Sequence, residues 1–304
     1  MSRPEPAQLI VLPTVYRRSP VKAALVSLRP RQWSKNLLVL AGIVFAAKIG
    51  DWVRWSEAAA ALAGYCAASS AGYLVNDVRD AKADRLHPGK RDRPIARGEL
   101  SARAALGLAA VLGVTALGIT AVLGPVSMLF LAGFLALQGV YSLGLKHVVL
   151  VDVFVIGALF VVRAAAGAEA VRVRISPWLL LCTALLALFL ALAKRRGELV
   201  LVGAQATPGR AVLQGYSLQL VDQLIAVVAS STVIAYSLYT FTAHSRAMMM
   251  TIPFVLFGIF RYLLLIHRHD LGEEPERLLF SDRPILLTVA LWSITAATIL
   301  ALTT

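Results

Sequence analysis

The chain has 304 residues, of which 58% are hydrophobic and only 15% charged, and its mean hydropathy is +0.73. That balance excludes an ordinary soluble globule and points to an all-α, polytopic membrane protein, because a backbone crossing lipid must satisfy its hydrogen bonds within each helix. The net charge of +13 invites a nucleic-acid partner, but 24 of the 30 Lys and Arg fall on one side once the loops are assigned alternately, which is a membrane-orientation signal and argues for no nucleic acid.

Residues 1–20 hold Pro4, Pro6 and Pro13 and lack a continuous apolar core, so they do not resemble a cleaved signal peptide and are expected to form a mobile cytoplasmic tail. Residues 21–304 are expected to form one transmembrane catalytic domain. Nine apolar runs follow, at 35–50, 56–78, 101–123, 125–145, 149–170, 176–195, 217–241, 246–267 and 283–303. Each approaches the roughly 20 residues needed to span a hydrocarbon core of about 30 Å. The basic asymmetry places the N-terminus in the cytoplasm, as for a bacterial-type inner membrane, and nine spans place the C-terminus on the far side.

The first run is introduced by Arg29-Pro-Arg-Gln-Trp-Ser-Lys-Asn36. Arg29 and Trp33 read as interfacial anchors. Lys35 and Asn36 enter the apolar run itself, which suits side chains facing an anionic ligand in a cavity. The second run leads into Asn76, Asp77, Asp80 and Asp84. If the helix continues, the three acids sit at i, i+3 and i+7 and line one face, while Arg79, Lys82 and Arg85 lie on the other side. The acids therefore lack their nearest basic neighbours, and a cation is expected among them. Hard oxygen donors at this spacing suit Mg2+, which completes its shell with water and substrate phosphates. The basic run Arg85, His87, Lys90, Arg91, Arg93 and Arg97 reads either as a topological loop or as support for phosphate oxygens. With the acids it reads as a diphosphate site.

Further along, Tyr141 and Lys146 reach the cytoplasmic boundary, where a second phosphate could be held. Asp152 and Arg163 share a helix face three turns apart and cannot touch, so each needs a partner, either an ion on a neighbouring helix or the substrate. Lys194-Arg-Arg-Gly-Glu198 ends the sixth run, and Lys194 with Glu198 forms either a surface i, i+4 pair or part of an anion-binding pole opposite the acids. The loop 272–283 reads equally as a lid or a connector. Cys66 and Cys182 lie inside apolar runs with no metal-like spacing and read as packing residues.

The Asn76-Asp77-x-x-Asp80-x-x-x-Asp84 pattern at the end of the second run resembles the first aspartate-rich motif of the UbiA prenyltransferase superfamily, and the likeness extends over the whole hydrophobic region. It implies a bundle of about nine helices around a central cavity open to the cytoplasm. That superfamily carries a second aspartate-rich motif after the sixth span, where this chain has Lys194-Arg-Arg-Gly-Glu198. The departure, together with residues 29–36, 76–94, 144–147 and 274–276, resembles the branch that transfers phosphoribose from phosphoribosyl pyrophosphate to decaprenyl phosphate. That reaction releases pyrophosphate and belongs to cell-wall arabinan precursor synthesis.

The resemblance implies that Asp77, Asp80 and Asp84 hold Mg2+, with Asn76 beside them, and that Lys35, Lys90 and Arg93 support phosphate oxygens. It also implies that Lys194 and Arg195 take either the lipid phosphate or the 5-phosphate. Asn36, Tyr141, Lys146, Arg163 and Glu198 complete the candidate substrate-binding set, and Asp77, Asp80, Lys35 and Lys194 form the candidate catalytic set. A phosphate monoester is already mostly ionised near pH 7, its second pKa being about 6, so attack at the anomeric carbon needs no general base. Two alternatives remain: prenyl transfer from a prenyl diphosphate to an aromatic acceptor, and a lipid-phosphate carrier that releases no pyrophosphate. Polyprenol length and assembly into a homo-oligomer stay open.

Overall fold

The structure is a computed structural model that describes residues 18–45, 50–86, 89–174, 176–205, 211–242, 245–268 and 281–303. Among them every regular element is helical. A short helix α1 (Pro20–Ser27) precedes an irregular first segment, a 3-10 helix over Pro30–Leu40 that continues as α2 (Ala41–Phe45). The rest of the bundle is α3 (Trp52–Leu86), α4 (Ala102–Leu123), α5 (Pro125–Leu143), α6 (Val151–Ala170), α7 (Pro177–Gln205), α8 (Leu218–Thr242), α9 (Ile252–Arg268) and α10 (Arg283–Thr303). Among the described residues each of the nine expected runs is largely helical, the first of them only as far as Phe45 and mostly as 3-10 helix. Among the described residues, α3 to α9 are long and apolar enough to cross a membrane, α9 together with the 3-10 turn before it, and α10 is apolar as well. The chain is a multi-pass membrane protein.

Three boundaries differ from the sequence reading, each for a physical reason. α1 already begins at Pro20, where the Ser19 side chain caps it by accepting from the Lys22 amide; most of the expected tail lies outside the described residues. α3 has 35 residues, which is about 52 Å at 1.5 Å per residue, far more than the hydrocarbon core requires. It therefore carries Asp77, Asp80 and Asp84 on a continuous helix past the apolar run. α7 likewise continues ten residues beyond the expected end at 195 to Gln205, so Lys194 to Glu198 are helical.

Ion pairs show which ends meet. Lys146, after α5, reaches Asp80 near the end of α3 at 3.0 Å, and Arg195 on α7 reaches Asp152 at the start of α6 at 2.7 Å. The polar ends of α3, α5, α6 and α7 thus share one end of the bundle.

The first segment is 3-10, so residues three apart eclipse. Trp33, Asn36 and Val39 therefore form one stripe, continued by Gly42. Trp33 Nε1 donates to Ser70 Oγ on α3 at 3.0 Å, and Asn36 and Val39 are both fully buried. Helices in lipid associate through close packing of small residues. Here the approach is backbone to backbone: a Cβ added at Gly167 would fall 1.9 Å from the Val39 carbonyl oxygen, and one at Gly42 would fall 2.6 Å from the Ala168 Cα. Neither obstacle is a flexible side-chain tip. Gly167→Ala is expected to lower stability by about 1–3 kcal/mol or more by forcing the first segment off α6. Thermal melting in detergent measures this, and an unchanged melting temperature would contradict the packing.

Candidate active site

The acids of α3 are buried unequally. The side chains of Asp77 and Asp84 are 3% and 6% exposed, while that of Asp80 is 33% exposed. As expected, the acids lack their nearest basic neighbours and cations sit among them, in the form of protein side chains, none of them a near neighbour on α3. Arg29 donates to Asp77 Oδ1 at 2.5 Å, Arg93 donates to Asp77 Oδ1 at 3.1 Å and to Asp84 Oδ2 at 2.7 Å, and Lys146 Nζ lies 3.0 Å from both oxygens of Asp80. Sequence spacing identifies the face but not the side chains that fold onto it from elsewhere.

Arg29 was read as an interfacial anchor and is instead part of this site. Its φ is +53°, in the left-handed region that non-glycine residues seldom adopt, and Pro30 follows it. The turn aims the guanidinium at Asp77 and lays it 5.0 Å over the Tyr73 ring centroid. Burial pulls the Arg29 guanidinium below its ordinary pKa, and the Asp77 carboxylate works against that shift. The trace left in the sequence is an arginine immediately before a proline at the start of the first run.

Arg93 is positioned by an ordered loop. Ile95, Ala96 and Leu100 are buried, Arg85 Nε donates to the Ala96 carbonyl at 2.9 Å, and the Glu99 carboxylate binds Arg18 at 2.8 Å and Arg97 at 3.3 Å. Arg85 and Arg97 of the basic run therefore shape the loop, and Arg93 faces the acids. Lys90 is half-buried in the same loop, while His87 lies outside the described residues.

Asn76 and Asp80 make a small oxygen cage. Asn76 Nδ2 donates to Asp80 Oδ2 at 3.1 Å, and Lys146 Nζ contacts both Asp80 oxygens and Asn76 Oδ1, the last at 3.4 Å. A cation already fits there, in the form of an ammonium. Among the described residues no three His, Cys, Asp or Glu side chains converge closely enough to hold a metal by themselves. The donor chemistry still suits Mg2+, a hard ion that takes one or two carboxylates and leaves the rest of its shell to water and phosphate.

The cluster on α7 is built differently from an open anion pole. Arg195 is 1% exposed; its Nε donates to Asp152 Oδ2 at 2.7 Å and its Nη1 to Glu198. Asp152 Oδ1 also accepts from the Tyr216 hydroxyl at 2.7 Å, and the Tyr216 hydroxyl oxygen in turn accepts from the Leu150 amide at 2.8 Å. For Asp152 the core ion pair is thus the correct alternative. Arg196 turns the other way, to Asp222 at 2.8 Å and the Ile266 carbonyl at 2.8 Å. These two arginines tie α7 to α6, α8 and α9. Lys194 is half-buried beside them, and Tyr141 lies near enough to Arg195 to interact electrostatically.

Asn36 and Arg163 pair with each other deeper in the bundle, through Arg163 Nε and Asn36 Oδ1 at 2.7 Å. The structure therefore brings Asn76, Asp77, Asp80, Asp84, Arg93 and Lys146 together, with Arg29 added. It places Asn36 and Arg163 inward of that group, Arg195 and Glu198 in the Asp152 network, and Lys35 half-buried on the 3-10 segment. Cys66 and Cys182 are free thiols, and Cys66 accepts from Asn36 Nδ2 at 3.4 Å. Of the loop 272–283 only 281–283 are described; there Asp282 binds Arg261 at 2.8 Å and caps α10 through the Ile285 amide.

Residues 37–282 match the UbiA prenyltransferase family. The chain belongs to that family. A relative from Mycobacterium tuberculosis, named decaprenyl-phosphate phosphoribosyltransferase, is 36% identical over 291 residues, covering 92% of this chain and 95% of its own. The similarly named protein of Mycolicibacterium smegmatis is 34% identical over 289 residues, 90% of each chain. The solved UbiA homolog from Archaeoglobus fulgidus, bound to GPP and Mg2+, superimposes with a TM-score of 0.71 at 18% identity, covering 92% of this chain and 99% of that one. At that identity the match speaks for the fold alone.

Proposed function

We propose that this membrane transferase moves 5-phosphoribose from phosphoribosyl pyrophosphate to a polyprenyl phosphate and releases pyrophosphate. The observation that carries the reading is the set of acids and cations at the polar end of α3, Asp77, Asp80, Arg29, Arg93 and Lys146 with the Asn76 amide beside them, in a chain at least a third identical to two decaprenyl-phosphate phosphoribosyltransferases over most of its length. Asp77 and Asp80, with Asn76 and Asp84, would hold Mg2+, which supplies charge neutralisation for a departing diphosphate. Arg29, Arg93 and Lys146 are bound to carboxylates by charge-assisted hydrogen bonds, and the same N–H groups suit phosphate oxygens equally. With a metal held by the acids, these cations would bind the phosphates and stabilise the charge that develops on them. The described loop 89–100 keeps Arg93 in place against Asp77 and Asp84.

The reading is tested with purified protein, labelled phosphoribosyl pyrophosphate and a polyprenyl phosphate. Pyrophosphate release should require both substrates and a divalent ion. Turnover of a prenyl diphosphate with an aromatic acid, in the absence of phosphoribosyl pyrophosphate, would overturn it.

We further place the site at the cytoplasmic face of a bacterial-type inner membrane, on the strength of the 24 of 30 basic residues assigned to that side. A reporter inserted in the 89–97 loop is expected on the cytoplasmic side and one fused after Thr304 on the opposite side. Both on one side would break the nine-span arrangement.

A further inference from the structure

Arg163 stands in the middle of α6 and is 5% exposed. Its Nε donates to Asn36 at 2.7 Å and its Nη1 to the Leu159 carbonyl at 2.9 Å, which leaves further N–H donors on the fork. Among the described residues no carboxylate interacts with it; the groups within electrostatic reach are Tyr73, Tyr65 and Cys66. Its guanidinium carbon lies 4.5 Å from the Phe134 ring centroid and 5.3 Å from that of Phe160. Aromatic faces offset only part of the cost of holding a full charge inside a membrane bundle. Beside it, the Tyr65 hydroxyl is buried with no hydrogen-bond partner among the described residues. A buried cation without an anion, next to a buried donor without an acceptor, matches one chemical class, an anionic oxygen group brought in by a ligand.

Its place relative to the acids narrows the choice. Tyr73 sits one helical turn before Asp77 and has Arg29 over its ring at 5.0 Å, on the side that reaches Asp77. Ser69, which donates to Asn36 at 3.2 Å, lies about 12 Å along α3 from Asp77 at 1.5 Å per residue. One small ligand can bridge that distance if it carries a diphosphate at one end and a second phosphate across a sugar ring. The lipid acceptor suits the position less, because its phosphate must stay where its chain can leave for the bilayer, whereas Arg163 faces inward among α3, α5 and the first segment.

We propose that Arg163 and the Tyr65 hydroxyl form the subsite for the 5-phosphate of the sugar donor, an inference that rests on the phosphoribosyl reading above. The subsite also selects the donor. A prenyl diphosphate would place hydrocarbon against an uncompensated guanidinium, whereas phosphoribosyl pyrophosphate neutralises it.

The test compares phosphoribosyl pyrophosphate with ribose 1-diphosphate, which lacks the 5-phosphate. Wild-type protein should prefer the former, and Arg163→Met should raise its KM by about 10- to 100-fold while shrinking the preference over the analogue by a similar factor, with KM for the polyprenyl phosphate unchanged. Arg163→Lys should restore part of the preference. Tyr65→Phe removes a hydroxyl that no described protein group uses, so it should keep the fold and shrink the preference several-fold on its own; it decides the matter if Arg163→Met fails to fold. An undiminished preference in Tyr65→Phe, or a shift confined to the lipid acceptor, overturns the subsite. Wild-type protein that ignores phosphoribosyl pyrophosphate altogether overturns the underlying reading instead.

Discussion

Asp77→Asn is expected to lower the rate of pyrophosphate release by about 100- to 1,000-fold at saturating Mg2+, the scale on which removing one preorganised charge partner from a transition state usually acts. The substitution keeps the shape of the side chain and removes the charge shared by Arg29 and Arg93. Arg93 retains Asp84 at 2.7 Å, and the Arg29 side chain is 25% exposed, so neither arginine is stranded in a dry core. The protein should therefore extract and melt much as wild type does, which separates loss of chemistry from loss of fold. Asp80→Asn should behave similarly and leave Lys146 without its carboxylate. Removing the metal with EDTA should reproduce both losses in wild-type protein, whereas full activity in EDTA would remove the metal from the account.

Arg195→Ala is expected to act on folding rather than on substrate affinity. The side chain is 1% exposed and lies between Asp152, which is fully buried, and Glu198. Deleting it leaves two acids facing each other in a low-dielectric interior, and breaking a buried pair from one side costs about 3–5 kcal/mol. The yield of folded protein and the melting temperature should both fall sharply. Asp152→Ala combined with Arg195→Ala should cost less than the sum of the two single changes, because the second substitution removes a partner already lost. Lys194→Ala, one residue away on a half-buried side chain, should leave the melting temperature near that of wild type. A wild-type melting temperature for Arg195→Ala, with only a raised KM, would return Arg195 to the substrate.

The contrast between these two sites shows what was legible in the sequence. The helices were, because nine apolar runs of nearly spanning length leave lipid no other backbone to accept. The acidic face was legible as well, since i, i+3 and i+7 on a continuing helix is a local relation. What closes that face was not: Arg29 and Lys146 come from 48 and 66 residues away from the acids they bind, and periodicity carries no information at that range. The Lys194 to Glu198 cluster misled for the same reason. It reads as an open patch of positive charge until Asp152, 43 residues earlier, folds against Arg195. Arg163 is the opposite case: its isolation from carboxylates among the described residues is visible only once the neighbouring helices are in place.

The central claim is a covalent one, so the most direct measurement is of the product. Purified protein in lipid, given phosphoribosyl pyrophosphate, a polyprenyl phosphate and Mg2+, should yield a lipid whose intact mass equals the acceptor plus one phosphoribosyl group, with one pyrophosphate released per lipid formed and neither product from Asp77→Asn. A lipid of unchanged mass from active wild-type protein, or a prenylated aromatic product in its place, would contradict the account.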